Sequence, residues 1–127
     1  MSDANTLERS ATTADIAKDL VALCSAGAFD AAGEKYWADS VLSLEPTEGG
    51  ATRGIAQVRL KGEAWTHANE VHSVVVEGPY VHGDQFVVRF KIDQTVKATG
   101  QRMQMDEVGV YTLKDGKIVE ERFFYGS

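Results

Sequence analysis

Gln85-Phe86-Val87-Val88-Arg89-Phe90-Lys91-Ile92-Asp93 decides how this chain folds. Phe86, Val88, Phe90 and Ile92 take every second position, and Val87, Arg89, Lys91 and Asp93 fill the positions between. Successive side chains of a strand point to opposite faces, so this period predicts a half-buried strand whose large apolar groups turn to a core. Upstream, Val71 to Val76 is a β-branched run broken by Gly78-Pro79, and His82-Gly83-Asp84 is a turn. Downstream, Thr99-Gly100 turns the chain into a long strand from Met103 to Leu113. Asp115-Gly116 is the strongest hairpin signal, because these residues accept the positive φ angles of a two-residue turn. Ile118 to Tyr125 is the last strand.

Toward the N-terminus the period changes. Ile16, Leu20, Leu23 and Cys24 form one apolar stripe at helical spacing, with Thr12 three residues before Asp15 as a capping box and Gly27 as the stop. A helix is predicted over about 13–26. Asp30, preceded by Phe29, is the expected N-cap of a short second helix that ends near Tyr36-Trp37. Ser40 to Glu45 reads as a strand, and Pro46 to Gly54 as a loop rich in glycine. Ile55, Val58, Gly62 and Trp65 then mark a third helix over about 54–67. Helix, helix, strand, helix and a run of antiparallel strands make an α+β fold. A twisted antiparallel sheet of this length curls around the three N-terminal helices as a cone with an open mouth.

The 127 residues, 43% of them hydrophobic, suffice for one domain with a core of its own, placed at 12–127 behind a disordered tail at 1–11. A net charge of −6 argues against a nucleic-acid partner and lends nothing to binding an anionic membrane. The single cysteine, Cys24, allows no internal disulfide, the polar segment Met1 to Ala11 has no apolar signal core, and no apolar run approaches a membrane span. The cytoplasm is the expected compartment. The histidines and the lone cysteine have no recognised metal spacing, and a glycine-rich phosphate loop and a nucleophile elbow are both lacking, so neither metal nor cofactor is expected.

Glu45-Pro46 closes the apolar run Val41-Leu42-Ser43-Leu44. A carboxylate at the inner end of a strand is costly unless it meets water, a partner or a ligand, which makes Glu45 the first candidate for a working acid or base. A solvent-facing strand end is the plain alternative.

Three stretches carry a family resemblance: Ala22 to Asp30, Glu45-Pro46 with the loop to Gly54, and Asp115 to Tyr125. Over about 12–126 the chain resembles the nuclear-transport-factor-2-like superfamily with its cystatin-like cone, and within it the SnoaL-like and ketosteroid-isomerase-like proteins. The resemblance implies a small apolar molecule in the cone and a homodimer through the outer sheet face, near Arg89, Lys91 and Asp93. It puts Glu45 at the isomerases' general base. Their oxyanion hole pairs a tyrosine with a protonated aspartate. Here Leu20 stands for the tyrosine and Val108 for the acid, with Asp106 two residues earlier on the same expected face.

His72 is expected to share a face with Val74 and Val76 and to pair with Asp106 or Glu45, against the plainer reading of a hydrogen-bonded core histidine. Asp106 is either a second catalytic carboxyl or a rim charge, and Glu107 is expected to point the other way. By analogy with the family, Val119, Glu121, Phe123 and Tyr125 face the cavity. Trp37, Trp65, Phe86, Phe90, Phe123, Met103 and Met105 serve as core and pocket wall. Two functions follow: an acid–base enzyme (isomerase, cyclase or hydrolase type) acting on an apolar carbonyl, lactone or polyketide-like compound, or a non-catalytic ligand-binding or dimeric interaction module.

Overall fold

Thr12 starts the first helix with the expected capping box. In the computed structural model, which describes residues 12–126, the Thr12 hydroxyl accepts from the Asp15 amide at 3.1 Å, and the Asp15 carboxylate accepts from the Thr12 amide at 3.3 Å. Two amides left open at the helix start are thereby satisfied. The tail predicted at 1–11 lies outside the described residues. Helix α1 (Thr13–Ser25) buries Ile16, Leu20 and Cys24. Gly27, at φ 78°, then reverses the chain where a β-carbon would be strained. Helix α2 (Phe29–Tyr36) follows directly. Its N-cap is Ala28 rather than Asp30. The Ala28 amide donates back to the Leu23 carbonyl at 2.8 Å, so the tight link commits it to the turn, and Asp30 instead faces the helix dipole from the first turn.

Strand β1 (Trp37–Leu44) leaves α2 without a loop. The segment read as a loop contains a short strand, β2 (Ala51–Arg53), paired antiparallel to the end of β1. Helix α3 (Ile55–Ala68) closes on Asn69, whose side-chain amide donates to the Trp65 carbonyl at 3.0 Å. The remaining chain is a meander: β3 (Asn69–His82), β4 (Gln85–Val96), β5 (Gln101–Lys114) and β6 (Lys117–Phe124). Gly78-Pro79 does not end β3. The strand passes through it with a register shift between Glu77 and Tyr80, as proline permits on the edge strand of a sheet.

The six strands form one sheet in the order β2-β1-β6-β5-β4-β3. All neighbours are antiparallel except β1 and β6, so the curved sheet is mixed. The alternation read in β4 holds: Phe86, Val88, Phe90 and Ile92 are buried on the inner face. Helix α1 packs against β3 and β4 across that face. Phe86 stacks on Tyr111 with ring centroids 4.9 Å apart, and Tyr111 meets Phe123 edge-on at 6.2 Å. These rings close one end of the cone; the space between the sheet and the helices stays open at the other. No helix among the described residues is long and apolar enough to cross a membrane.

Candidate active site

The open part of the cone is a cavity of about 560 Å³, in the range of small-molecule sites. Each layer contributes to its wall. Leu20 and Cys24 come from α1, Phe29 and Gly33 from α2, Val58, Lys61 and Trp65 from α3, and Phe90, Met105, Tyr111 and Phe123 from the sheet. Gly33 is there for space: a β-carbon on it would stand 2.5 Å from the Trp37 ring. Its hydrogen lets the indole lie against the helix and point its N–H inward.

A polar chain crosses this apolar wall. The Trp37 indole N–H donates to Glu121 Oε1 at 2.9 Å, and the Ser43 hydroxyl donates to Glu121 Oε2 at 2.7 Å. Lys61 Nζ donates to Ser43 Oγ at 2.5 Å and to Glu45 Oε2 at 2.8 Å. Glu121 is thus a buried carboxyl whose oxygens both accept hydrogen bonds. Burial nevertheless outweighs those bonds and raises its pKa. Lys61 Nζ also lies 5.8 Å from the centroid of the Phe123 ring, within cation–π range.

Glu107 lines the same cavity, and among the described residues no side chain is hydrogen-bonded to its carboxyl. Burial, and then the Glu45 charge, push its carboxyl up to about 7, with Lys61 opposing and Glu121 adding to the rise. Burial and the adjacent Glu45 carboxylate push the Tyr125 phenol up to about 12. Burial likewise raises the Cys24 thiol to about 12, and the Tyr111 phenol well above its ordinary value. Cys24 is therefore a protonated, inert wall residue near neutral pH.

The expected residues divide into two groups. Glu45, Leu20, Trp37, Trp65, Phe90, Glu121, Phe123 and Tyr125 all line the cavity. His72, Asp106, Val108 and Phe86 do not. His72 is the extra residue of a β-bulge: Val71 pairs with Gln94 and Ser73 with Asp93. The bulge turns the imidazole to the outer face, where Nε2 lies 2.7 Å from the Thr95 hydroxyl. Asp106 is outside as well, in a two-pronged ion pair with Arg89 at 2.9 and 2.6 Å. That guanidinium holds the Asp106 carboxyl below its ordinary value. Val108 shares this outer side, in register with Arg89. Phe86 belongs to the closed end of the core.

The facing of β5 is thus the reverse of the expectation: Met105, Glu107 and Tyr111 point inward. Both parities of this strand are partly apolar, so alternation alone did not choose between them. The hairpin register chooses. Leu113 pairs with Ile118, which is buried, and the inner face continues through Tyr111 to Glu107. A shift between Thr112 and Leu113 makes Val119 the unpaired residue of β6, so Ile118 joins Glu121, Phe123 and Tyr125 in the wall. The sequence reading passed over Lys61, although its spacing, three residues after Val58 and four before Trp65, places it on the stripe that faces the cavity. Among the described residues no group of three or more histidine, cysteine, aspartate or glutamate side chains is placed to hold a metal ion.

The family model for the SnoaL-like domain matches residues 11–125. The chain belongs to the SnoaL-like family. A search of curated proteins gives no match. Among solved structures, this SnoaL-like chain is similar to a Mesorhizobium loti protein provisionally named a SnoaL-like polyketide cyclase, with carbohydrate phosphatase as a bracketed second name. The two are 52% identical over 91% of this chain and 100% of the other, at a TM-score of 0.88. A provisionally named SnoaL-like polyketide cyclase from Jannaschia is 20% identical over 87% and 85% of the two chains, at a TM-score of 0.73. A Catenulispora acidiphila protein with a ketosteroid-isomerase-like fold, solved with trimethylamine, is 17% identical over 91% and 88%, at 0.72. These last two establish the likeness of fold.

Proposed function

We propose that the cavity is the active site of a cofactor-independent acid–base enzyme acting on an apolar carbonyl or polyketide-like compound, by isomerase, cyclase or hydrolase-type chemistry. The observation that carries this proposal is Glu107, a carboxyl pushed up to about 7 beside the Glu45–Lys61 ion pair in a mostly apolar cavity. A group that is half protonated near neutral pH both gives and takes protons readily. Glu45, fixed by Lys61, is the carboxylate that takes a proton from carbon beside the substrate carbonyl. With a neutral substrate, protonated Glu107 supplies the acid, and the Tyr111 and Tyr125 hydroxyls are hydrogen-bond donors to the developing oxyanion whether or not Glu107 is ionised. The polyketide-cyclase part of the provisional name carried by the Mesorhizobium relative agrees with this chemistry.

The test uses hydrogen exchange, which needs no knowledge of the full reaction. A panel of apolar cyclic ketones, β-keto esters and lactones is incubated in D2O and followed by NMR. The native chain is expected to speed exchange beside the carbonyl of at least one class, and Glu45→Gln and Glu107→Gln to abolish it with the fold intact. Undiminished exchange in both variants would remove the acid–base assignment.

A second reading, a ligand-binding module without catalysis, is favoured by Leu20, which presents an alkyl group to the cavity at the position where the isomerases hold a tyrosine. Ligand affinity that survives in the double variant, without exchange in either chain, would support it. We further propose a cytoplasmic homodimer through the outer sheet face, where Val75, Tyr80 and Phe124 are exposed. Light scattering at micromolar concentration decides this, and Phe124→Glu is expected to shift the protein toward monomer.

A further inference from the structure

The charges that line the cavity do not balance. Asp30, Glu45, Glu107 and Glu121 face it, and Lys61 is the one cationic side chain among the described lining residues. Lys61 is already committed to Glu45 and Ser43. The Glu121 oxygens are occupied by Trp37 and Ser43. Glu107 has no such partner among the described residues: burial and neighbouring charges act on it. Tyr111, buried to all but 5% of its surface, also lines the cavity, and its hydroxyl has no hydrogen-bond partner among the described residues.

The rest of the wall is aromatic, with Trp37, Trp65, Phe29 and Phe90 beside Tyr111 and Phe123. Ring faces are negative, and an aromatic wall beside a carboxylate with no ion-pair partner of its own among the described residues attracts an organic cation. The cavity already holds one ammonium in this manner, Lys61 above Phe123. An anionic ligand would meet the opposite field. Resting on the proposal that this cavity is a small-molecule site, we infer that its ligand is an apolar molecule carrying an alkylammonium centre, which lodges among the rings against Glu107 and Tyr111.

Cation binding requires Glu107 to be ionised, so affinity is linked to its proton. The groups acting on it are Glu45 behind β1, Lys61 on α3, and Glu121 on β6. Tyr111 on β5 and Cys24 on α1 stay protonated across the neutral range, as does Tyr125. Asp30 on α2 stands farther out and adds to the negative field. With Glu107 titrating near 7, the ionised fraction rises about tenfold from pH 6 to pH 8, and the apparent affinity rises with it.

The test is a matched pair of probes, benzyltrimethylammonium and its neutral isostere neopentylbenzene, titrated against the intrinsic tryptophan fluorescence in one cosolvent. The cation is expected to bind more tightly than the isostere at pH 8 and about tenfold more tightly than it does at pH 6, with the isostere insensitive to pH. Glu107→Gln should flatten the cation's pH dependence. Should that variant fold poorly, calorimetry of the native chain in two buffers of different ionisation enthalpy reads the same link, as about half a proton released per cation bound at pH 7. Absence of cation binding, an affinity at pH 8 no higher than the isostere's, or binding without proton release overturns the inference. Neither readout involves turnover. Loss of exchange on neutral carbonyls would leave cation binding standing, and absence of cation binding would leave that exchange intact, whereas cation binding without proton release would count against both readings.

Discussion

Replacing Glu107 with glutamine should make the protein more stable in mild alkali. The native carboxyl moves from an ordinary 4.5 to about 7 on folding. An acid with a raised folded value binds more protons folded than unfolded between those two values. Stability therefore falls as pH rises through that window and stays low above it. At about 1.4 kcal/mol per unit, ionised Glu107 costs the folded state about 3 kcal/mol above pH 7, of which about 2 kcal/mol accumulates between pH 5.5 and 8.5. Glutamine keeps the shape and cannot ionise. Glu121, whose value is also raised, adds a slope of the same sign to both chains, so their difference reads Glu107 together with its coupling to Glu121 and Glu45. Urea unfolding at the two pH values measures it, provided the m-values agree. The native chain should lose about 2 kcal/mol more than the variant over that interval. Equal losses, or a variant that is the less stable chain at pH 8.5, would show that Glu107 ionises freely and that burial has been misjudged.

Three further outcomes are expected. Phe86→Ala removes a fully buried ring stacked on Tyr111 and should cost about 3–5 kcal/mol in denaturant unfolding; a cost below about 1 kcal/mol would contradict its place in the core. Gly33→Ala brings a methyl group to 2.5 Å from the Trp37 ring, so the indole must leave Glu121, seen as a lower melting temperature and a changed tryptophan emission, whereas unchanged spectra would refute the packing. Asp106→Asn and His72→Gln touch only the outer face, so proton exchange and probe binding should match the native chain; loss of either activity would place the chemistry outside the cone.

Period was legible in the sequence and facing was only partly so. The strand at Phe86 and the helical stripe at Ile16, Leu20 and Cys24 are each fixed by local backbone geometry, and both stand where the pattern put them. Glu45, at the end of an apolar strand, reached the cavity for the reason its cost implied. Facing depends on counting residues through every irregularity, and single-residue bulges at His72 and Val119 each reverse the count. Glu107 escaped because Val108 and Val110 form an equally apolar alternative face, which on folding lies over the outer side of the sheet. Lys61 escaped because a charged residue on an apolar helical stripe reads as a solvated edge until its partner, sixteen residues away in sequence, is placed beside it.

The most direct measurement is an NMR titration of the Glu107 side-chain carboxyl carbon, assigned by comparison with Glu107→Gln. A midpoint near 7, shifted downward in Glu45→Gln where the neighbouring negative charge is gone, is the expected result. A midpoint near the ordinary 4.5, unmoved by Glu45→Gln, would mean that the cavity does not hold a proton-exchanging carboxyl.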